Sequence, residues 1–351
     1  MSGVPNKGSH QSGLWLWSGF SAMRLIVALL LGAFVWLAMW LGLIAGQLGK
    51  PHADNLWVRE AYDLKRAAAE AFRGERKVLL VGGSATMFGV NSPQLSEALG
   101  LPAVNLGVNA GLGTHEIPRQ VDDLIEPGDL VVMPLEYRLL LWDGVPSYVT
   151  LSWALEHPQT LLHWRWKTLL AGLWSLPLDR VLGGYQGFDP DQLPLGPYGA
   201  HKLDALGDQV GTAGALRSAA QLAALMQLPP EQYDVLYRDS TLGLMVWEQW
   251  WQRWRARGAC LVVAPPPFMF VSAYQTDRYS AFFDGVPHRV EERGVRYLGH
   301  PKEGFFPVEA MFDTNYHLTA ESRAVYTSWL AGALRSADLG CLPGKAQEDA
   351  L

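Results

Sequence analysis

The chain has 351 residues, 49% of them hydrophobic and only 18% charged, with 15 Trp, 36 Gly, 22 Pro and two Cys. Apolar content at that level excludes a disordered chain, and two Cys exclude a disulfide scaffold or a thiolate metal cluster. A net charge of −6 argues against nucleic acid as the partner, because phosphate binding needs a basic surface.

Few charges and many Trp direct attention to a membrane. Residues 25–48 (LIVALLLGAFVWLAMWLGLIAGQL) contain no charge. At about 1.5 Å per residue a helix of that length crosses a hydrocarbon core of about 30 Å. A cleaved secretory signal is the competing reading. The apolar region of a signal is only about 7–15 residues long, so an uncleaved single-pass anchor is expected. Residues 1–24 carry Lys7 and Arg24 and no acid, whereas all 34 acidic residues lie beyond residue 50. The positive-inside rule then leaves the N-terminus in the cytoplasm and the bulk outside, which in a bacterium means the inner membrane and the periplasm.

After the anchor, residues 49–76 read as a linker and a charged helix, with Ala61, Leu64, Ala67, Ala68 and Phe72 at helical intervals. Val78–Val81 is a short apolar run, predicted as a buried strand ending in Gly82–Gly83–Ser84. Ser92 and Pro93 suit the N-cap and first turn of a short helix. Ala103–Val108 is a second strand, ending in the turn NLGVNAGLG, and Thr114 is placed to cap a helix through Ile125. Residues 129–136 (DLVVMPLE) form a third strand. Alternating strands and helices imply a parallel sheet covered on both faces. The alternation stops over residues 143–241, an aromatic-rich insert without a clear strand. It resumes with a helix at 244–257, a strand at Ala259–Ala264, another at Val295–Leu298, and a last helix from about Thr319 to Arg335.

Three blocks carry possible chemistry. Ser84, in GGSATMFG, ends the first strand and so stands at the carboxyl edge of the sheet, where open α/β folds bind ligands. An isolated serine in a turn is also an ordinary cap. Asp313 and His317, in FDTNYHLTAES, follow the last strand and fall on the same edge. A serine nucleophile needs a base within reach and an acid to orient that base. The turn after the second strand, with Asn105, Gly107, Gly111 and Gly113, offers backbone N–H groups that can form part of an oxyanion hole beside the Ser84 N–H, or is a plain strand–helix turn. Glu136 at the end of the third strand could bind sugar hydroxyls or cap the strand. His115 could point toward the site or sit on a helix face. His157, His163, His201 and His300 lack metal-ligand spacing, so neither metal nor cofactor is expected. Cys260 reads as a core residue; a bond to Cys341 stays open. Trp247, Trp250, Trp251 and Trp254 share one helix face that is expected to cover the sheet, with a glycan groove as the alternative. The stretch from Trp153 to Trp174 could pack on the core, lie at a membrane surface or dock a membrane partner.

Together the three blocks resemble the SGNH (GDSL-type) hydrolase superfamily over about 77–137 and 244–335. The resemblance implies an α/β three-layer sandwich with a parallel sheet, spanning 77–142 and 242–338 and interrupted by the insert, with a tail at 339–351. It implies Ser84 as nucleophile, His317 as base, Asp313 as its acid and Gly111 as oxyanion donor, with Gly107 or Asn109 in that place by a small change of register. Three positions depart from the family pattern. Gly83 replaces the Asp of GDS, the D-x-x-H spacing is D-x-x-x-H, and Glu136 stands in the block that normally supplies an oxyanion Asn. A carboxylate cannot donate unless protonated. Such losses resemble a divergent, membrane-anchored branch that works with membrane-bound O-acyltransferases on cell-surface polymers. The function implied is a serine acyl esterase or O-acyltransferase using an acyl donor and an exported polysaccharide acceptor. A catalytically inactive glycan-binding or scaffold subunit of an acyltransferase complex is the alternative.

Overall fold

A computed structural model describes residues 14–233, 241–337 and 339. Of the expected cytoplasmic N-terminus, residues 1–24, the part up to residue 13 lies outside the described residues and the rest begins the first helix; Cys341 of the tail is also outside them. Helix α1 (Leu14–Ala45) contains the apolar run. Its stretch Ala22–Ala45 has a mean hydropathy of 2.4, none of it buried, and is long and apolar enough to cross a membrane. The helix ends at Ala45, three residues earlier than the uncharged run, and the chain then turns through Gly46–Gly49.

Helix α2 (Ala53–Glu70) follows at once, capped by His52, whose imidazole accepts from Asp54 N–H. Its buried stripe runs through Val58, Ala61, Tyr62, Lys65 and Ala69, while Ala67 faces solvent. The i, i+3, i+4 rhythm is therefore present, displaced by one or two positions from the predicted face, and it carries a lysine.

The body is a mixed α/β fold. Its strands are β1 (Val78–Leu80), β2 (Ala103–Asn105), β3 (Leu130–Pro134), β4 (Cys260–Ala264), β5 (Phe268–Met269), β6 (Arg296–Tyr297) and β7 (Phe305–Phe306). Five of them form a sheet in the order β2-β1-β3-β4-β6, with every neighbouring pair parallel. β5 and β7 pair separately, a two-residue ladder that no sequence pattern announces. Side chains along the strands alternate between two hydrophobic clusters. Leu79, Val104, Val131, Met133, Leu261 and Val263 enter one; Val78, Leu80, Ala103, Leu130, Val132 and Val262 enter the other. Both faces of the sheet are thus buried, which is why its strands read as continuous apolar runs.

Three α-helices lie between β1 and β3: α3 (Ser84–Gly89), α4 (Ser92–Leu99) and α5 (Gly113–Val121). The cap of α4 is Asn91, whose side chain accepts from Gln94 N–H, and not Ser92. Ser92 is taken by another partner, Asp208. Thr114 does not cap α5; it lies inside the first turn and donates to Leu139 O. That helix stops at Val121, ahead of the expected Ile125, and gives way to a short 3-10 turn.

After the short α6 (Tyr137–Leu140), the insert is helical, with α7 (Tyr148–Glu156), α8 (Trp166–Ser175), α9 (Leu178–Gln186) and α10 (Ala219–Met226). Helix α11 (Leu242–Ala256) returns the chain to the sheet. It buries Trp247, Trp251 and Trp254 completely in the first cluster, so these three rings are core; Trp250 packs against that cluster half-buried. Helices α12 (Asp277–Glu291) and α13 (Ala320–Ser336) complete the fold, the latter capped by Thr319.

Candidate functional site

β1 and β3 are neighbours, but their outgoing connections run in opposite directions across the sheet, to β2 and to β4. Such a switch point leaves a crevice at the carboxyl ends of the strands. Ser84 enters it after β1 and Glu136 after β3.

Ser84 is the first residue of α3, and its loop is set by close approach. A Cβ on Gly83 would collide with Glu136 Oε1 and sit 2.6 Å from Ala110 Cβ. The backbone there has φ −91°, so contact, not a left-handed conformation, demands glycine. Glu136 is fully buried and accepts from the N–H groups on either side of Ser84, Gly83 at 3.2 Å and Ala85 at 2.8 Å. Burial raises its carboxyl pKa, partly opposed by those amide hydrogen bonds. Glu136 is therefore a brace for the serine loop, and both of its oxygens are occupied.

The histidine is held equally closely. The segment before α13 folds back on itself through the Met311–Leu318 bridge and the Phe312 N–H to His317 O hydrogen bond of 2.7 Å. This brings Asp313 Oδ1 to 2.6 Å from His317 Nδ1, so the D-x-x-x-H spacing closes. Tyr198, from the insert, donates to the other oxygen of Asp313 at 2.7 Å. Burial pushes the Asp313 carboxyl up, but the hydrogen bond and charge of His317, with the Tyr198 hydroxyl, leave it below its ordinary value. The His317 ring stacks on Phe88 of α3, with centroids 3.8 Å apart, and meets the edge of Tyr198. Its orientation is set on three sides, leaving Nε2 without a hydrogen bond to any described residue.

Ser84, Asn109, Gly111, Glu136 and His317 line one cavity of about 300 Å³, with Asp313 behind the histidine. Gly107 is not part of its wall. It packs against Gly83 O, and its N–H is held by Asn105 Oδ1 at 3.1 Å. The Gly111 N–H is engaged by Asn109 Oδ1 at 2.7 Å. The Ser84 N–H, in the first turn of α3, has no intrahelical acceptor. Ser84 Oγ hydrogen-bonds no described residue, and no Ser84–His317 hydrogen bond is formed. His115 is outside the cavity, edge-on to Trp142, where burial lowers its pKa to about 4. Cys260 is not a free thiol. Among the described residues no group of three or more His, Cys, Asp or Glu is placed to hold a metal ion.

Sequence reasoning missed Phe88, Tyr198 and Trp57. Phe88 lies four residues after Ser84 on one short helix, a spacing that could have signalled it. Trp57 and Tyr198 also line the cavity, with ring centroids 5.8 Å apart. They come from α2 and the insert, and no local pattern marks them. No protein-family model matches the chain, and a search of characterised proteins finds no match.

Proposed function

We propose that the chain is a membrane-anchored serine acyl esterase or O-acyltransferase of SGNH-like three-layer architecture. It works outside the cytoplasm on an exported polysaccharide, beside a membrane-bound O-acyltransferase. The observation that carries this reading is the shared cavity of Ser84 and His317, with His317 Nδ1 fixed by Asp313. Clusters on both sheet faces support the architecture, and the apolar helix supports the anchor.

In this reading the Ser84 hydroxyl attacks the acyl carbonyl while His317 Nε2 accepts its proton. The Ser84 N–H faces the developing oxyanion. Collapse expels the donor alkoxide, which takes the proton from His317 and leaves an acyl-serine. Water or a sugar hydroxyl then attacks, giving its proton to His317, which returns it to Ser84 as the product leaves. A loop closure of Ser84 toward His317 on substrate binding is required, since catalytic hydrogen bonds tighten in the complex. Incubating the full chain with an aryl acetate tests this. Acetate release and a Ser84 acetyl adduct seen by mass spectrometry are expected, and both vanish in Ser84→Ala. Turnover unchanged in that variant removes the assignment.

The second reading, a non-catalytic glycan-binding or scaffold subunit, is favoured by the lack of a Ser84–His317 hydrogen bond and by the engaged Gly111 amide. It predicts no adduct at Ser84 with any acyl donor, and polysaccharide binding that survives Ser84→Ala.

A further inference from the structure

Helix α8 is built the wrong way round for a soluble domain. A helix on a domain surface normally buries its large apolar side chains and exposes polar ones. The residues of α8 that are buried are Thr168 and Gly172. At about 100° per residue, Trp166, Leu169, Leu170, Leu173 and Trp174 fall within an arc of about 140°. That arc lies roughly opposite the Thr168–Gly172 strip. Trp166 is 65% exposed, Trp174 90%, and Leu162 in the preceding turn 82%. The small strip is needed for close packing: a Cβ on Gly172 would lie 2.9 Å from Leu151 Cδ2 and 3.2 Å from the Trp164 ring.

The position of this helix is fixed by α1. Trp164 and Leu176, at its two ends, belong to a hydrophobic cluster with Leu151, Ala154, Leu155 and Val181, against which Trp40 and Ile44 of α1 pack. Polar contacts lock the same junction. Gln47 Nε2 donates to Val181 O, and the buried Arg180 donates to Gln47 Oε1 at 3.1 Å and to Ser152 Oγ at 2.7 Å. The Tyr185 hydroxyl reaches Leu43 O at 2.7 Å. Trp40 and Ile44 occupy the last turns of the 22–45 stretch, so α8 is held at the level where a spanning helix leaves the hydrocarbon. That boundary layer is only about 5–8 Å deep on each side.

We propose that α8 lies in the surface of the same bilayer that α1 crosses, its apolar arc among the acyl chains and its basic residues at the phosphates. The proposal rests on the reading of α1 as a span. The occupant is lipid because the patch is continuous with the apolar helix and is bordered by exposed Arg165 and Lys167. Lys167 Nζ sits 5.6 Å from the Trp166 ring centroid, the pairing of aromatic and cation suited to a headgroup layer. The insert then fixes the orientation of the whole domain on the membrane.

The test is photo-crosslinking of the full chain in vesicles of phosphatidylethanolamine and phosphatidylglycerol. Single p-benzoylphenylalanine substitutions are made at Phe34, in the span, at Trp174, and at Val325, an exposed apolar site on α13. All three replace exposed side chains, so folding is preserved. Phospholipid adducts at Phe34 and Trp174, with none at Val325, are expected. An adduct at Phe34 without one at Trp174, or a cross-link from Trp174 to a second copy of the chain, overturns the surface contact. An adduct at Trp174 without one at Phe34 keeps the contact and removes the span, and no adduct at either position overturns both.

Discussion

Replacing Glu136 by Ala tests whether the serine loop is braced from the neighbouring strand. The substitution deletes the acceptors that Gly83 N–H and Ala85 N–H have among the described residues, held at 3.2 and 2.8 Å. A buried donor left unpaired costs about 1–3 kcal/mol, so two cost about 2–6 kcal/mol. Part of this is returned, because the variant no longer buries a carboxyl whose charged form burial disfavours. A net loss near the lower end, about 2–3 kcal/mol, is expected, which for a chain of this size lowers the unfolding midpoint by about 3–5 °C. The effect on turnover is larger. Ser84 lies between the two released amides, and a displacement of about 1 Å at a reacting group costs about 10²-fold. Glu136→Gln keeps one acceptor oxygen and turns an NH2 toward the other amide, so it should fall between wild type and Glu136→Ala. The carboxyl pKa is raised in the fold, so the native state binds more protons than the unfolded chain above the ordinary value of about 4.3. Stability from this group is therefore full at low pH and declines as pH rises through that window, and Glu136→Gln flattens the decline. Thermal unfolding followed by Trp fluorescence and aryl acetate turnover provide the readings. A Glu136→Ala chain with an unchanged midpoint and unchanged turnover refutes the brace.

Two further substitutions probe the surroundings. Tyr198→Phe removes the hydroxyl that donates to Asp313, so the Asp313 pKa rises. The acid limb of the pH–rate profile should move to higher pH and kcat/KM fall about tenfold, the worth of a charged hydrogen bond; an unmoved profile separates Tyr198 from the site. Lys65 is buried under β2, donating to Asn105 O at 2.9 Å and to Gly207 O, and burial lowers its pKa to about 7. Its native pKa lies below the unfolded value of about 10.4, so the unfolded chain binds more protons between these limits and stability rises with pH above about 7. Lys65→Met should abolish that rise and still destabilise by about 2–6 kcal/mol through the two unpaired carbonyls. Denaturant unfolding at a series of pH values reads both effects.

The sheet was legible in the sequence because its strands are buried on two faces, so Val78–Val81 and Ala259–Ala264 appear as apolar runs, each within a residue or so of β1 and β4. β5 and β7 were not, since Phe-Met and Phe-Phe carry no period. Caps were half legible: Asn91 and Ser92 both suit the start of α4, and the choice is made by Asp208, more than a hundred residues away. Asp313 and His317 stood out as a local pair. Tyr198 could not, because its bond to Asp313 spans 115 positions. Glu136 was visible as a departure from a pattern, but its use depends on Gly83 lacking a side chain, so the two departures occupy one space.

The connection between α1 and α2 sets a working radius. Trp57, on the wall of the cavity, follows Ala45 by only twelve residues, and α2 begins at Ala53. Even with the intervening chain drawn out, the cavity wall lies within about 35 Å of the end of the apolar helix. In the proposed reading, with α1 in a bilayer, a segment of the exported polysaccharide has to come within that distance to be reached, whatever its total length. In that reading modification proceeds segment by segment past a fixed point, and the spacing of modified units along the polymer reports how fast it moves relative to turnover.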